Sequence, residues 1–148
     1  SGRPKSILYP ESPNKFYSME LEDYIRFTIN ANQQIDTLIF NRNGIYTKAT
    51  RINASWGIIG SATSTGWDGE DIVLKPSKKK GIYELKNVKL KEGEFKFRMN
   101  KDWTVNLGAW KGNELIQDGD NIKIGTGVWD IELDVRDGVN FKYKIGMK

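Results

Sequence analysis

The sequence predicts an all-β protein built around an Ig-like antiparallel β-sandwich with a small N-terminal β segment. Short runs of alternating apolar and polar residues recur along the chain, and turn-forming Asn, Asp and Gly residues, among them 15 glycines, separate these runs. Helix signals are weak: the best stretch, 17–25, is short and soon becomes strand-like. With 148 residues and 38% hydrophobic content, the chain can bury a core without a metal or a crosslink.

The alternating runs place the predicted strands along the chain. In order, they fall at 24–29, 37–40, 46–52, 56–59, 72–74, 81–85, 94–99, 103–107, 121–124, 131–135 and 141–145. The clearest run is 94–99, in which Phe95, Phe97 and Met99 are expected to face the core while the residues between them face outward.

The last two runs predict their own register. An even-length loop around Asp137-Gly138 would set apolar side chains beside charged ones, whereas an odd-length loop gives one apolar and one ion-paired face. The expected pairs are Val135–Phe141, Leu133–Tyr143, Ile131–Ile145, Asp134–Lys142 and Glu132–Lys144. We therefore expect a three-residue loop with glycine at a positive φ, and interpret the charges as a solvated sheet face.

A domain boundary is expected near Asn53-Ala54-Ser55. Residues 54–148 contain about seven predicted strands, enough for a complete Ig-like sandwich. Residues 1–53 contain three or four, too few for a good core of their own. We interpret 1–53 as a small appended β segment or the tail of a preceding domain, and Ser1-Gly2 as a cloning remnant, so that the chain is expected to be a piece of a longer protein.

Composition excludes several classes of chemistry. The absence of cysteine removes disulfides, thiolate metal sites and cysteine nucleophiles, and the absence of histidine removes histidine-based triads. We expect no cofactor and no metal. A net charge of +4, from 23 basic and 19 acidic residues, is a weak indicator of nucleic-acid binding, and we expect none. No apolar run approaches the ~20 residues of a membrane span, and no signal peptide or lipid-attachment cysteine is visible.

Two tryptophans are the leading candidates for ligand contact. Trp67 in Gly66-Trp67-Asp68 and Trp103 after Asn100-Lys101-Asp102 lie among turn formers, which predicts exposed indoles at strand ends. A flat aromatic face suits the apolar face of a sugar ring. Trp110, in a loop after Gly108-Ala109, is a third candidate. The alternative is that these rings plug the ends of the sandwich, and Trp56 and Trp129, within strand-like runs, are expected in or near the core.

Four stretches resemble, in family order, a domain of the SusE/SusF type, the starch-utilisation outer-membrane lipoproteins of polysaccharide-foraging gram-negative bacteria. The stretches are WGIIGSAT at 56–63, GWD at 66–68, GEFKFR at 93–98 and DWTVNLG at 102–108. The resemblance covers about two-thirds of the chain. It implies a non-catalytic module that binds polysaccharide, most simply starch or another α-glucan, and that a lipid anchor outside these residues displays on the cell surface. Other components of a glycan-uptake complex are then further partners.

The resemblance also implies which residues contact the ligand. In that family a glycan lies across two aromatic residues, matched here by Trp67 and Trp103, with basic and amide side chains nearby. The polar matches are Lys96 or Arg98 before Trp103, and Asn106 or Asn121 after it. Fixed N–H donors on these side chains suit neighbouring sugar hydroxyls. Their alternative roles are solvated strand charges for the two cations and turn formation for the asparagines.

Two charged clusters have other interpretations. The trio Asp68, Glu70 and Asp71 lacks the pattern of a calcium loop and has no glycosidase partner placed by a motif, so we expect Asp68 to cap the Trp67 turn. The lysines at 78–80 are interpreted as a solvated loop rather than a phosphate contact. Two further functions remain open: a structural spacer or protein-docking module whose tryptophans are buried, and a hydrolase.

Overall fold

The computed structural model describes residues 7–18, 23–32, 34–50 and 53–148. All regular structure in these residues is β-strand, and the sheets are antiparallel, so the predicted all-β sandwich class is confirmed. Within the same residues there is no helix of the length and apolarity needed to cross a membrane. Contacts between residues divide the chain into two units, Ser1–Asn53 and Ala54–Lys148.

The first unit is an antiparallel meander in which each strand pairs with the next along the chain. Its strands are β1 (Tyr9–Ser12), β2 (Lys15–Ser18), β3 (Asp23–Ile29), β4 (Ile35–Arg42) and β5 (Ile45–Thr50). The sequence did not predict β1 and β2, and the weak helix signal at 17–25 falls on the end of β2 and the start of β3. Residues 51 and 52, the end of the strand predicted at 46–52, lie outside the described residues.

The second unit contains ten strands rather than about seven. They are β6 (Trp56–Ile59), β7 (Ile72–Val73), β8 (Lys75–Pro76), β9 (Ile82–Leu90), β10 (Gly93–Met99), β11 (Asp102–Ala109), β12 (Glu114–Gln117), β13 (Ile122–Ile124), β14 (Gly127–Asp134) and β15 (Phe141–Met147). The pairing order is β7-β6-β10-β11-β12-β15-β14-β9-β8, and β13 also pairs with β10. The unpredicted strands β8 and β12 are short, with little room for alternation to show.

The core of the second unit follows the predicted alternation. Phe95 and Phe97 are fully buried, with their ring centroids 5.5 Å apart in an edge-to-face contact, and Ile131 and Leu133 are buried beside them. Burying side chains of this size stabilises the fold by about 1.5–3 kcal/mol each. These residues define the inner face. Lys96 lies between the two phenylalanines and Arg98 follows Phe97, so both belong to the outer face of β10.

The two tryptophans that were predicted to lie in or near the core, Trp56 and Trp129, are found there. Trp56 is 4% exposed, and Trp129 packs against the core. The Trp129 indole N–H donates to the Gly125 carbonyl over 3.1 Å, which satisfies its one polar group. Trp56 is therefore closed to a ligand, and Trp129 is partly buried against the core.

The β14–β15 hairpin confirms the predicted register but not the loop. The four pairs from Ile131–Ile145 to Asp134–Lys142 are all present, and Gly138 has a positive φ of 76°. The fifth predicted pair, Val135–Phe141, is absent, and the loop spans 135–140 instead of three residues. The Val135 N–H bonds to the Gly81 carbonyl rather than continuing the hairpin. Asp134 is held by Arg136 instead of Lys142.

The lysines at 78–80 form the exposed turn between β8 and β9. The Ile82 N–H closes this turn by donating to the Lys79 carbonyl over 3.0 Å. Their solvated position agrees with the interpretation of this cluster as a loop.

Candidate functional site

Trp103 lies on an irregularity in the β10–β11 hairpin. Arg98 pairs with Asn106 but Met99 pairs with Asp102, so the three residues 103–105 have no partner on β10. Such insertions bend a strand and redirect its side chains. The turn itself has two residues at positive φ, Asn100 and Lys101. As a result Trp103 projects out of the strand pattern and is 44% exposed.

Trp67 lies on the loop between β6 and β7. The loop returns on itself where Gly60 and Gly66 form an isolated bridge, and Gly66 has a positive φ of 72°. The Thr65 hydroxyl then donates to the Glu70 carbonyl over 2.8 Å, across the base of the segment that carries Trp67. The predicted Asp68 cap is absent: among the described residues Asp68 has no hydrogen bond, and threonine hydroxyls hold the turn instead.

The two tryptophans lie side by side. Their ring centroids are 6.1 Å apart and their planes are inclined by 37°. Trp103 is exposed, as predicted, whereas Trp67, which was also predicted to be exposed, is partly buried because it packs against Trp103. The pair is therefore open to solvent mainly at Trp103. We call Trp67 and Trp103 the tryptophan pair.

An ion pair joins the two loops that carry the tryptophan pair. Lys101, in the β10–β11 turn, donates to the carboxylate of Glu70. This hydrogen bond, and the charge of Lys101, lower the pKa of Glu70 from its ordinary value. The same contact raises the pKa of Lys101. Both groups are exposed, so the ion pair orients the loops more than it stabilises the fold.

Arg98 packs against the Trp103 ring of the tryptophan pair. Its Cζ lies 5.0 Å from the centroid of the Trp103 ring, within the range of a cation–π contact. Its Nε and one terminal nitrogen both donate to Oδ1 of Asp71, over 2.8 and 2.6 Å. Arg98 is only 8% exposed, so the solvated strand charge considered from the sequence is not what the structure has. It is a buried cation held between a carboxylate and an indole.

Asp71 is the residue of this site that sequence reasoning missed. Its side chain is 1% exposed, and its Oδ2 is buried without a hydrogen-bond partner among the described residues. The sequence feature that could have indicated its role is Gly57, which lies opposite Arg98 on β6. A Cβ at this position would approach the Asp71 Cβ to 2.6 Å. A glycine facing an outward arginine thus marks the space in which the carboxylate packs.

Asn106 holds the Trp103 segment in place. Its amide nitrogen donates to the Trp103 carbonyl over 3.0 Å and to Asp118 Oδ1 over 2.6 Å. Its oxygen accepts a longer bond, 3.4 Å, from the Lys96 ammonium. Because Asn106 is 4% exposed and fully bonded, it acts as a support, whereas Lys96 keeps N–H groups free.

Asn121 adjoins the same outer face of β10. It donates to Glu94 Oε2 over 2.9 Å, and Glu94 alternates with Lys96 and Arg98 along β10. The strand after Asn121, β13, pairs with β10 beyond the end of the β11 pairing. Asn121 is exposed and therefore accessible at the border of this face.

The structure does not bring Trp110 to the tryptophan pair. Trp110 follows the last residue of β11, at the opposite end of that strand from Trp103, and its N–H bonds to the Glu114 carbonyl. It is 65% exposed, so it is an open indole without the neighbours that surround Trp103.

The arrangement suits a neutral ligand that presents apolar faces and hydroxyl groups. Two cations of this site are already matched by carboxylates, Arg98 by Asp71 and Lys101 by Glu70. Two members of the acidic trio, Glu70 and Asp71, are used in these pairs, and Asp68 is not. Within the described residues no group of three His, Cys, Asp or Glu side chains is placed to hold a metal ion.

The fold and the site define the second unit as an antiparallel β-sandwich with a solvent-facing aromatic pair backed by a buried ion pair. Comparisons of the chain with protein-family models, with curated proteins and with solved structures find no match in any of the three.

Proposed function

We propose that residues 54–148 bind polysaccharide without cleaving it, by stacking sugar rings on Trp67 and Trp103. The observation that carries the proposal is the contact of these two indoles, 6.1 Å between centroids at 37°, on a face where Trp103 is 44% exposed. Two tilted rings suit a curved chain, and a helical α-glucan such as starch has that curvature. An exposed indole pair is costly to solubility unless a ligand uses it.

Polar side chains around the pair supply the orienting hydrogen bonds. Lys96 and Asn121 are the accessible donors on the outer face of β10, and Arg98 has guanidinium N–H groups beyond the two that bind Asp71. Exchange of sugar hydroxyls between water and these donors is nearly neutral in free energy. The rings therefore provide most of the affinity, and the donors select the orientation of the chain.

The expected affinity of one such site is modest. Stacking of a nucleic-acid base on an aromatic side chain contributes about 1–3 kcal/mol, and a sugar gives a similar or smaller value. Two contacts of this kind predict a Kd in the micromolar to millimolar range, roughly −4 to −8 kcal/mol. Retention of a polysaccharide then benefits from several linked sites on one polymer. Display on a bacterial outer membrane, as the SusE/SusF resemblance implies, would supply such linkage.

Native affinity electrophoresis in gels containing amylopectin tests the proposal. We expect the chain to be retarded, and Trp67→Ala and Trp103→Ala to run at the mobility found without polysaccharide. Trp110→Ala is the matched control, because it removes an indole that is 65% exposed but remote from the pair, and it should remain retarded. Unchanged retardation of both pair variants would refute the proposal.

The competing proposal is a structural spacer or protein-docking module without a ligand site of its own. That proposal was based on buried tryptophans, and the exposure of Trp103 favours glycan binding over it. Release of reducing sugar from amylopectin by the unmodified chain would instead indicate a hydrolase.

A further inference from the structure

The first unit carries a row of aromatic side chains across its whole width. Directly paired residues of neighbouring strands share one face of a sheet. The register places Tyr9 opposite Tyr17, Tyr17 opposite Tyr24, Tyr24 opposite Asn41 and Asn41 opposite Tyr46. Four tyrosines and an asparagine therefore form a single row over five strands. We call the face that they share the tyrosine face.

A second row on the tyrosine face carries positive charge. Lys15, Arg26, Ile39 and Lys48 are paired in register beside the tyrosine row. Lys15 forms an ion pair with Glu11. Arg26 and Lys48 have no carboxylate partner in the part of the chain that the structure describes. This balance differs from that of the tryptophan pair, where two cations of the site are matched by carboxylates.

The opposite face of the same sheet is apolar. It carries Phe16, Ile25, Phe27, Leu38 and Phe40, and the rings of Phe16 and Phe27 meet edge to face at 5.5 Å. A half-buried antiparallel sheet directs its apolar residues to one side and leaves the other to solvent. On the apolar face Phe40 is 37% exposed and the other four side chains are partly buried. Because the apolar residues gather here, the aromatic content of the tyrosine face is not explained by a core.

A shallow groove of about 450 Å³ runs along the tyrosine face. Its lining residues come from both rows: Lys15, Tyr24, Arg26, Ile39, Asn41 and Tyr46. Tyr46 is 71% exposed and Tyr24 38% exposed. The groove thus combines an open aromatic ring, phenol and amide hydrogen-bonding groups, and two cations, of which Arg26 has no carboxylate partner among the described residues.

We propose that the tyrosine face binds an anionic polysaccharide, a sugar chain bearing carboxylate or sulfate groups. Arg26, Lys48 and Lys15 receive the anionic groups, Tyr46 stacks on a sugar ring, and Asn41 and Tyr24 bond its hydroxyls. This site lies in the first unit, and it does not depend on the glycan-binding function proposed for residues 54–148.

A single-stranded nucleic acid fits the tyrosine face less well. Such a ligand stacks successive bases on successive open aromatic rings. Here the Lys15 ammonium lies 4.3 Å from the centroid of the Tyr24 ring, and Tyr17 packs against Tyr24 with centroids 5.0 Å apart. Tyr46 is left as the most open ring of the row, which suits one sugar contact together with charge pairing.

The test is retardation of the whole chain in native gels that contain polygalacturonate, dextran sulfate, amylopectin or polythymidylate. We expect retardation by polygalacturonate, by dextran sulfate or by both, and the comparison identifies the carboxylate or the sulfate. Tyr46→Ala should weaken this binding about tenfold, as loss of a stacking contact does. Lys48→Gln and Arg26→Gln should each weaken it about two- to fivefold, because each variant loses one exposed charge pair with the ligand. All three side chains are exposed, and far-UV circular dichroism checks that the variants fold.

Two controls separate this site from general charge and from the tryptophan pair. Lys89→Gln removes an equal charge from an exposed position on β9 and should leave the binding unchanged. Trp103→Ala should abolish retardation by amylopectin but not by the anionic polymers. The proposal is overturned if neither anionic polysaccharide retards the chain, if polythymidylate binds more tightly than both, or if Lys89→Gln or Trp103→Ala weakens the binding as much as Lys48→Gln.

Discussion

Lys101 and Glu70 form an ion pair that connects the β10–β11 turn to the loop of Trp67. The relationship matters because Trp67 lies on this loop and Trp103 lies just after the turn, at the start of β11, where residues 103–105 have no partner on β10. The ion pair therefore helps to orient the segments that carry the tryptophan pair, which the sheet alone does not hold.

The ion pair predicts a pH dependence of the loop contact. The pKa of Glu70 is lowered from its ordinary value of 4.5, so the contact stabilises the folded state above that pH and is lost as pH falls through the lowered pKa. In Lys101→Met the pKa of Glu70 should return towards its ordinary value, as measured by carboxyl carbon NMR. Lys111→Met, an exposed lysine in another turn, is the control and should leave it unchanged. Equal Glu70 pKa values in the parent chain and in Lys101→Met would contradict the assignment.

Asp71→Ala should destabilise the second unit strongly. The substitution leaves the Arg98 guanidinium buried beneath Trp103 without its carboxylate, which costs about 3–5 kcal/mol. Denaturant unfolding measures the change. Asp68→Ala, three residues away and without a hydrogen bond among the described residues, should stay within about 0.5 kcal/mol of the parent. If the two variants unfold alike, the buried ion pair does not stabilise the second unit.

Gly57→Ala tests the packing of the same carboxylate from the opposite strand. The added Cβ would come within 2.6 Å of the Asp71 Cβ, so the side chain must move and its contact with Arg98 is strained. We expect a loss of about 1–3 kcal/mol in the free energy of unfolding. Gly146→Ala is the matched control, a glycine within β15 with open space around its Cβ position. Comparable losses in both variants would show that the clash with Asp71 is not the cause of the loss at position 57.

Asn106→Ala should loosen the Trp103 segment. The variant loses bonds to the Trp103 carbonyl and to Asp118, and leaves buried polar groups unpaired, at a cost of about 1–3 kcal/mol. Iodide quenching of tryptophan fluorescence should increase as Trp103 becomes more mobile. Asn113→Ala, an exposed asparagine in the 110–114 turn, should change neither stability nor quenching. Unaltered stability of Asn106→Ala would remove Asn106 from the support of the site.

The fold could be predicted where only one arrangement of the strands buries the apolar residues and exposes the charged ones. Alternation at 94–99 determined which side of β10 is buried, and the β14–β15 register followed from matching apolar with apolar residues. The expected boundary near 53–55 and the division after Asn53 coincide. Strands β1, β2, β8 and β12 were missed: each has only two to four residues, and β1 and β8 also contain a proline, which argues against a strand.

The site was predictable only in part, because its geometry depends on long-range contacts. Exposure of Trp103 follows from local turn chemistry, whereas its contact with Trp67 depends on where the β6–β7 loop returns. The burial of Arg98 depends on Asp71, 27 residues earlier in the chain. Trp110 shows the converse: a local pattern like that of Trp103 predicts exposure correctly but says nothing about neighbours.

The central claim is that Trp67 and Trp103 together contact the glycan. The chain has five tryptophans, and their indole N–H resonances can be assigned by single substitution and followed in ¹H–¹⁵N spectra during titration with a linear maltooligosaccharide. We predict that the resonances of Trp67 and Trp103 shift together with one Kd, while those of Trp56, Trp129 and Trp110 stay in place. A titration in which the Trp67 and Trp103 resonances do not move, or in which only Trp110 responds, would contradict the account.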